Sequence, residues 1–214
     1  MNQYKKYEEL KKQQGKIDNE DFNVIIIDNV LLPEQIDKIY KTIELANEED
    51  TVIKDFAGHK LWNVGFDKDI EDRISNVVNN SISENVVLNK DYTFARYSKS
   101  FGYVPKLFPH FDTRESQTVV CDIQLKSTTN WGIIVEGKTY HLNFNQALIF
   151  SGTQQMHWRE KKELEDLDEV DMIFCHLRYN PLRPLEKDQN QKLMERSWVL
   201  MEETGIDNDG KKYE

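Results

Sequence analysis

From Asp91 onward the apolar residues of this chain stop recurring every three to four positions and begin to alternate. Residues 92–97, 117–125, 131–135, 138–142, 147–150 and 172–179 each read as a strand. The segments between them carry turn chemistry: Ser100-Phe101-Gly102, Ser127-Thr128-Thr129-Asn130, Glu136-Gly137, Asn143 to Asn145, and Ser151-Gly152. A succession of short strands, each apolar on one face, must bury those faces against one another. A β-sandwich or barrel is the economical solution.

The first half has a different period. Residues 3–14 read as a charged helix, with Tyr4, Tyr7 and Leu10 at helical spacing, and are expected to form a peripheral arm over 1–20. The run Asn23-Val24-Ile25-Ile26-Ile27-Asp28 is β-branched and reads as a buried strand. Pro33 sits in the first turn of a helix whose buried face is Ile36, Ile39, Tyr40 and Ile43. A second helix covers 67–84, with Ile70, Ile74, Val77, Val78 and Ile82 inward and Asp67 or Asp69 as its cap. Residues 185–203 close the chain as a helix, with Leu193, Trp198 and Met201 as packing residues; the tail after Gly205 is polar and expected to fray. There is no internal repeat and no long linker. The expectation is an α+β, mainly β fold, with one domain over 21–184 between the arm and a C-terminal helix and tail over 185–214.

The chain has 214 residues, 38% hydrophobic and 31% charged, which suits one globular domain. A net charge of −10 disfavours nucleic acid as a partner, because phosphate neutralisation needs clustered Lys and Arg. No apolar run approaches the roughly 20 residues of a membrane span. The polar, lysine-rich N-terminus lacks the apolar stretch of a secretory signal, so a cytoplasmic location is expected. Cys121 and Cys175 each sit in an apolar run and read as buried free thiols.

The chemistry is concentrated in three residues. In His110-Phe111-Asp112 the imidazole and the carboxylate are spaced i, i+2, so on an extended segment they point to one side. His157 follows the strand 147–150 and can supply a third ligand. Two histidines and one carboxylate hold non-haem Fe(II) while leaving positions open. A short His-x-Asp string alone is often only a polar loop; its position at the start of the strand-rich half gives it weight.

Arg96-Tyr97, Gly102, His110-x-Asp112, the strand into Ser151-Gly152, and His157 together resemble the prolyl-4-hydroxylase-like group of 2-oxoglutarate/Fe(II) oxygenases. So does the run from Ile27 through Pro33 to Glu34. The resemblance spans about residues 22–182. It implies a double-stranded β-helix (jelly-roll) core. It also implies Fe(II) held by His110, Asp112 and His157, with 2-oxoglutarate and O₂ as co-substrates and ascorbate as a supporting reductant. The implied activity is a dioxygenase, a hydroxylase that couples 2-oxoglutarate decarboxylation to oxidation of a protein residue or a small molecule. Tyr97 matches the position whose hydroxyl contacts 2-oxoglutarate.

One feature departs from the family. Its cation for the far carboxylate lies a short distance past the distal histidine, where this chain has Asp166, Leu167 and Asp168 within the acidic segment 163–171. Two replacements are open. Arg159 is i+2 from His157 and shares its side on a strand; Arg178 alternates with Phe174 and His176 on the last strand. Arg159 is preferred, and either could instead pair with the acidic segment. His176 reads as an outer partner of the metal ligands, part of the co-substrate pocket, or a core histidine. Phe108 and Trp131, with Trp62 and Phe111, are candidates to line a substrate mouth. Residues 102–108 are a candidate lid. His59 and His141 are expected to be exposed or in turns. Readings of other classes are a cupin-like metal-binding barrel and a non-catalytic interaction module. The oligomeric state is open.

Overall fold

The computed structural model describes residues 3–17, 20–54, 57–63, 65–112 and 116–201. Among these, eleven strands form two antiparallel sheets in a jelly-roll. The seven-stranded sheet runs, edge to edge, through β1 (Ile25–Ile27), β9 (Gln146–Ser151), β6 (Thr118–Ser127), β11 (Glu169–Tyr179), β4 (Val86–Ser98), β3 (His59–Trp62) and β2 (Thr51–Lys54). The four-stranded sheet has the order β5 (Leu107–His110), β10 (His157–Arg159), β7 (Ile133–Val135) and β8 (Lys138–Tyr140). The helices are α1 (Gln3–Gln14), α2 (Pro33–Leu45), α3 (Lys68–Ile82) and α4 (Lys187–Met201). None of them is long and apolar enough to cross a membrane.

The pleat of the large sheet sorts its residues. Val119, Cys121, Ile123 and Leu125 of β6 join Ile173, Cys175 and Leu177 of β11 in one cluster. Ile36, Ile39 and Ile43 of α2 and Ile70, Ile74 and Val78 of α3 cover it. Each such Val, Leu or Ile side chain contributes about 1.5–3 kcal/mol on burial. Cys121 and Cys175 face each other in register there, both buried and both free thiols. The alternate residues look the other way, into the space between the sheets, where Val120, Leu148 and Phe150 pack on Ile133 and Val135 of β7.

Several expectations needed correction. Four strands were not anticipated: β2, β3, β5 and β10. Each has only three or four residues, too few to display a period. The strand expected from Tyr92 begins at Val86, its pattern interrupted by the polar residues Asn89, Lys90 and Asp91. The candidate lid ends inside β5. Asp67 occupies the N-cap position of α3 but makes no capping bond; its carboxylate pairs with Lys38 at 3.1 Å.

The opening helix is no peripheral arm. Tyr7 is fully buried and donates to Glu136 Oε1 at 2.8 Å. The buried Arg196 of α4 donates to Gln14 Oε1, the carbonyl of Gly15 and Glu20 Oε2, each at 2.9 Å. On α4, Leu193 is buried as expected, but Trp198 is 51% exposed and Arg196 with Ser197 takes the inward face. The Met201 side chain and the tail after Gly205 lie outside the described residues. The α1–α4 layer meets the barrel at Phe111 and Met156, which cluster with Tyr7, Ile17 and Leu193. Phe111 therefore points away from any substrate mouth. It anchors the chain between His110 and Asp112, just as Met156 anchors it before His157.

Candidate metal and co-substrate site

His110 ends β5, His157 begins β10, and the antiparallel register sets the two opposite each other with ring centroids 4.2 Å apart. Each Nε2 lies 3.4 Å from Asp112 Oδ1. One ligand atom from each of the three residues falls within 4.8 Å of the others. The ring orientation follows from the backbone. His110 Nδ1 faces the carbonyl of Phe108 at 2.7 Å, and His157 Nδ1 faces the carbonyl of Gln155 at 3.1 Å. A carbonyl can only accept, so each Nδ1 carries the proton and each Nε2 turns a lone pair inward. Burial, then the neighbouring His110, lowers the pKa of His157, which favours the neutral ring. Burial pushes Asp112 up, but the imidazoles of His157, His176 and His110 hold it well below the ordinary carboxylate range.

Asp112 is fixed from two directions. Its N–H donates to the carbonyl of Gly152 at 2.9 Å. A Cβ at Gly152 would collide with Asp112 Oδ2 and Val120 Cγ2, so the turn after β9 needs glycine for the carboxylate to enter. Asp112 Oδ2 is buried without a hydrogen bond. Two inward lone pairs and a carboxylate with an unmet oxygen form an electron-rich cluster, and a cation is what satisfies it.

Arg159, two residues past His157 on β10, is the buried cation of this interior. Its Nη1 donates to the Trp131 carbonyl at 2.8 Å, its Nη2 meets Met172 Sδ at 3.6 Å, and the guanidinium lies 4.7 Å from the Trp131 ring centroid. Its Nε is buried with no partner. Tyr97 is fully buried, edge-on to Trp131 at 4.8 Å and to His59 at 4.9 Å, and its hydroxyl also lacks a partner. The metal cluster and this pair of unmet polar groups share one interior.

No protein-family model matches the sequence, and none of the curated proteins does. Solved structures match over most of the chain. HygX from Streptomyces hygroscopicus, with nickel and 2-oxoglutarate bound, aligns with TM-score 0.54 and 11% identity over 72% of this chain and 82% of that one. A prolyl hydroxylase from Trichoplax adhaerens, in complex with a hypoxia inducible factor fragment, aligns with TM-score 0.51 and 16% identity over 88% and 93%. The viral collagen prolyl hydroxylase of Paramecium Bursaria Chlorella virus-1 aligns with TM-score 0.52 and 12% identity over 77% and 97%. The chain has the fold of the 2-oxoglutarate/Fe(II) oxygenases.

Within this oxygenase fold the other residues singled out in the sequence take distinct places. His176 of β11 is half-buried, with Nε2 3.4 Å from Asp112 Oδ2. Arg178, two residues further on, is exposed at the strand's end and does not join the buried site. Trp131 is buried beneath Arg159, whereas Phe108 is half-buried on β5 with the Lys106 ammonium 4.3 Å from its ring centroid. His141 is exposed. His59 is not: it is buried against Tyr97, and burial, with the charge of Lys54, lowers its pKa to about 4.

Sequence reasoning missed Asp122. It is buried on β6, and burial raises its pKa to about 7, against the pull of Arg159 and with the push of Asp112. The signal was available: one carboxylate inside the otherwise apolar run from Val119 to Ile123, two positions from Val120, on the face that looks between the sheets.

Proposed function

We propose that this chain is a 2-oxoglutarate- and Fe(II)-dependent dioxygenase, a prolyl-4-hydroxylase-like hydroxylase of a protein residue or small molecule. The observation that carries the reading is a cluster of two imidazoles and a carboxylate sharing one buried interior with an arginine and a tyrosine whose polar atoms are unmet. Bound iron with 2-oxoglutarate and O₂ supplies oxidative decarboxylation to succinate and CO₂, with one oxygen atom delivered to the substrate.

The chain's own residues set the terms of that chemistry. His110, Asp112 and His157 hold the metal and leave part of its sphere open. Arg159 Nε and the Tyr97 hydroxyl receive the far carboxylate of the keto acid, a charge-assisted interaction strengthened by burial. The Trp131 carbonyl and ring keep the guanidinium in place. Trp131 on this reading supports the cation and does not line the substrate mouth, a role left to Phe108. His176 orients Asp112. Val120, Leu148 and Phe150 form the apolar wall that excludes water. Arg178, being exposed, is assigned no part.

The solved relatives differ in what they carry: HygX has been crystallised with hygromycin B, and the Trichoplax enzyme with a peptide fragment. A prolyl residue of a protein is the first substrate to try here. The purified chain with Fe(II), 2-oxoglutarate and ascorbate is expected to form succinate slowly without substrate and faster with it. Absence of succinate together with absence of stoichiometric Fe(II) binding overturns the reading.

A further inference from the structure

Asp122 is a buried carboxyl for which the oxygenase chemistry above has no task. On β6 it sits in register with Phe174 of β11 and Leu148 of β9, both apolar. One step along the inner face, Val120 pairs with His176 and Phe150, whose rings adjoin Asp112 and His157. One step the other way, Gln124 pairs with Met172, whose sulfur touches Arg159. Asp122 therefore lies midway between the metal cluster and the arginine, on the path a ligand joining the two would follow. Both ends act on it: Arg159 from β10, and Asp112, His110 and His176 from the cluster. Tyr97 of β4 carries the remaining titratable group on that side. From β9 it meets apolar residues, and on the helix-covered face of the sheet the titratable groups that feel it are the buried thiols of Cys121 and Cys175.

The charge balance decides its state in a loaded site. A divalent metal and Arg159 together neutralise Asp112 and a dicarboxylate keto acid. An ionised Asp122 would leave one uncompensated negative charge in a buried interior, which is strongly disfavoured. Resting on the function proposed above, we infer that Asp122 contacts the bound keto acid as a neutral acid, donating its proton to a co-substrate oxygen, so that binding takes up one proton. Burial already pushes the carboxyl upward, and the arriving dianion pushes it the same way.

The sign follows from linkage. The loaded form binds the proton more tightly than the empty form. Affinity is therefore full where the carboxyl of the metal-loaded site is already protonated, and falls by up to about tenfold per pH unit as that carboxyl ionises. The full chain loaded with Ni(II), which supports binding without turnover, is titrated with 2-oxoglutarate by calorimetry at pH 8. Two buffers of different ionisation enthalpy report the protons taken up. The wild type is expected to take up about one proton. Asp122→Asn, isosteric and still a donor, is expected to take up none and to bind with an affinity flat between pH 7 and 9. Uptake that persists in Asp122→Asn assigns the proton elsewhere, with His176 the nearest alternative, and overturns the inference. So does binding by the wild type without proton uptake. Those outcomes leave the co-substrate reading standing. Nickel binding without any 2-oxoglutarate binding, in both proteins, removes the oxygenase reading and this inference together.

Discussion

The two faces of β6 share a backbone and a hydrogen-bond ladder yet are built on opposite principles. Val119, Cys121, Ile123 and Leu125 face α2 and α3 and find only hydrocarbon and sulfur. Val120, Asp122 and Gln124 face the four-stranded sheet, and polar groups accumulate there at a cost to stability. The first face holds the molecule together. The second holds unmet atoms: Asp112 Oδ2, Arg159 Nε and the Tyr97 hydroxyl are buried without a hydrogen bond. Strain of this kind at one face can be tolerated because the other is so well packed.

The sharpest way to break the comparison is to swap the expected symptoms. Asp112→Ala is expected to lower Ni(II) or Fe(II) affinity by more than about 100-fold, because loss of even an outer partner of a metal ligand costs about 10–100-fold. The apo protein should stay folded with a modest loss of stability, since the carboxylate that the three imidazoles hold well below its ordinary range stabilises the fold. Ile123→Ala, on the opposite face, should cost about 2–5 kcal/mol of stability, with metal affinity of the folded protein retained. If Asp112→Ala unfolds the chain, or Ile123→Ala loses metal while folded, the division between faces is wrong.

A finer cut lies within the inner face. Arg159→Met is expected to weaken 2-oxoglutarate binding to the nickel-loaded protein by about 2–5 kcal/mol, the cost of leaving a buried carboxylate without its charged partner. Arg178→Met, at an exposed position, should leave that affinity unchanged. Equal effects of the two variants, measured by calorimetry, would count against Arg159 as the cation.

How far these features could be read from the sequence depends on how local their signals are. That His110 and Asp112 would come together was legible because i, i+2 spacing on an extended segment is a two-residue fact, and Phe111 between them takes the opposite face. The strands that carry them were not legible: β5 and β10 have four and three residues, and their pairing is decided by partners far along the chain. Alternation placed Arg159 and Arg178 each on a defined face but is silent on depth, and depth separates them. His59 was expected to be exposed or in a turn. Its burial comes from Tyr97, its register partner on β4, which no local pattern encodes. The arm over residues 1–20 was misjudged for the same reason, since Tyr7 finds its acceptor on Glu136. Asp122 is the opposite case: a carboxylate in an apolar strand is a local anomaly, legible once each anomaly is asked for its reason.

Tyr97→Phe gives the smallest expected effect and the most discriminating one. The hydroxyl is fully buried and makes no hydrogen bond, and a buried polar group in that condition costs about 1–3 kcal/mol. Removing it should raise the melting temperature of the free protein. The ring packing against Trp131 and His59 is untouched by the change, so no cavity opens to offset the gain. If the hydroxyl is held in reserve for the keto acid, the same substitution should weaken 2-oxoglutarate binding by about 1 kcal/mol, the net worth of one hydrogen bond. The two measurements must then move in opposite directions, more stable when empty and weaker when loading. A tyrosine that merely fills the core would show the first effect without the second, and Tyr97 would move from the site to the scaffold.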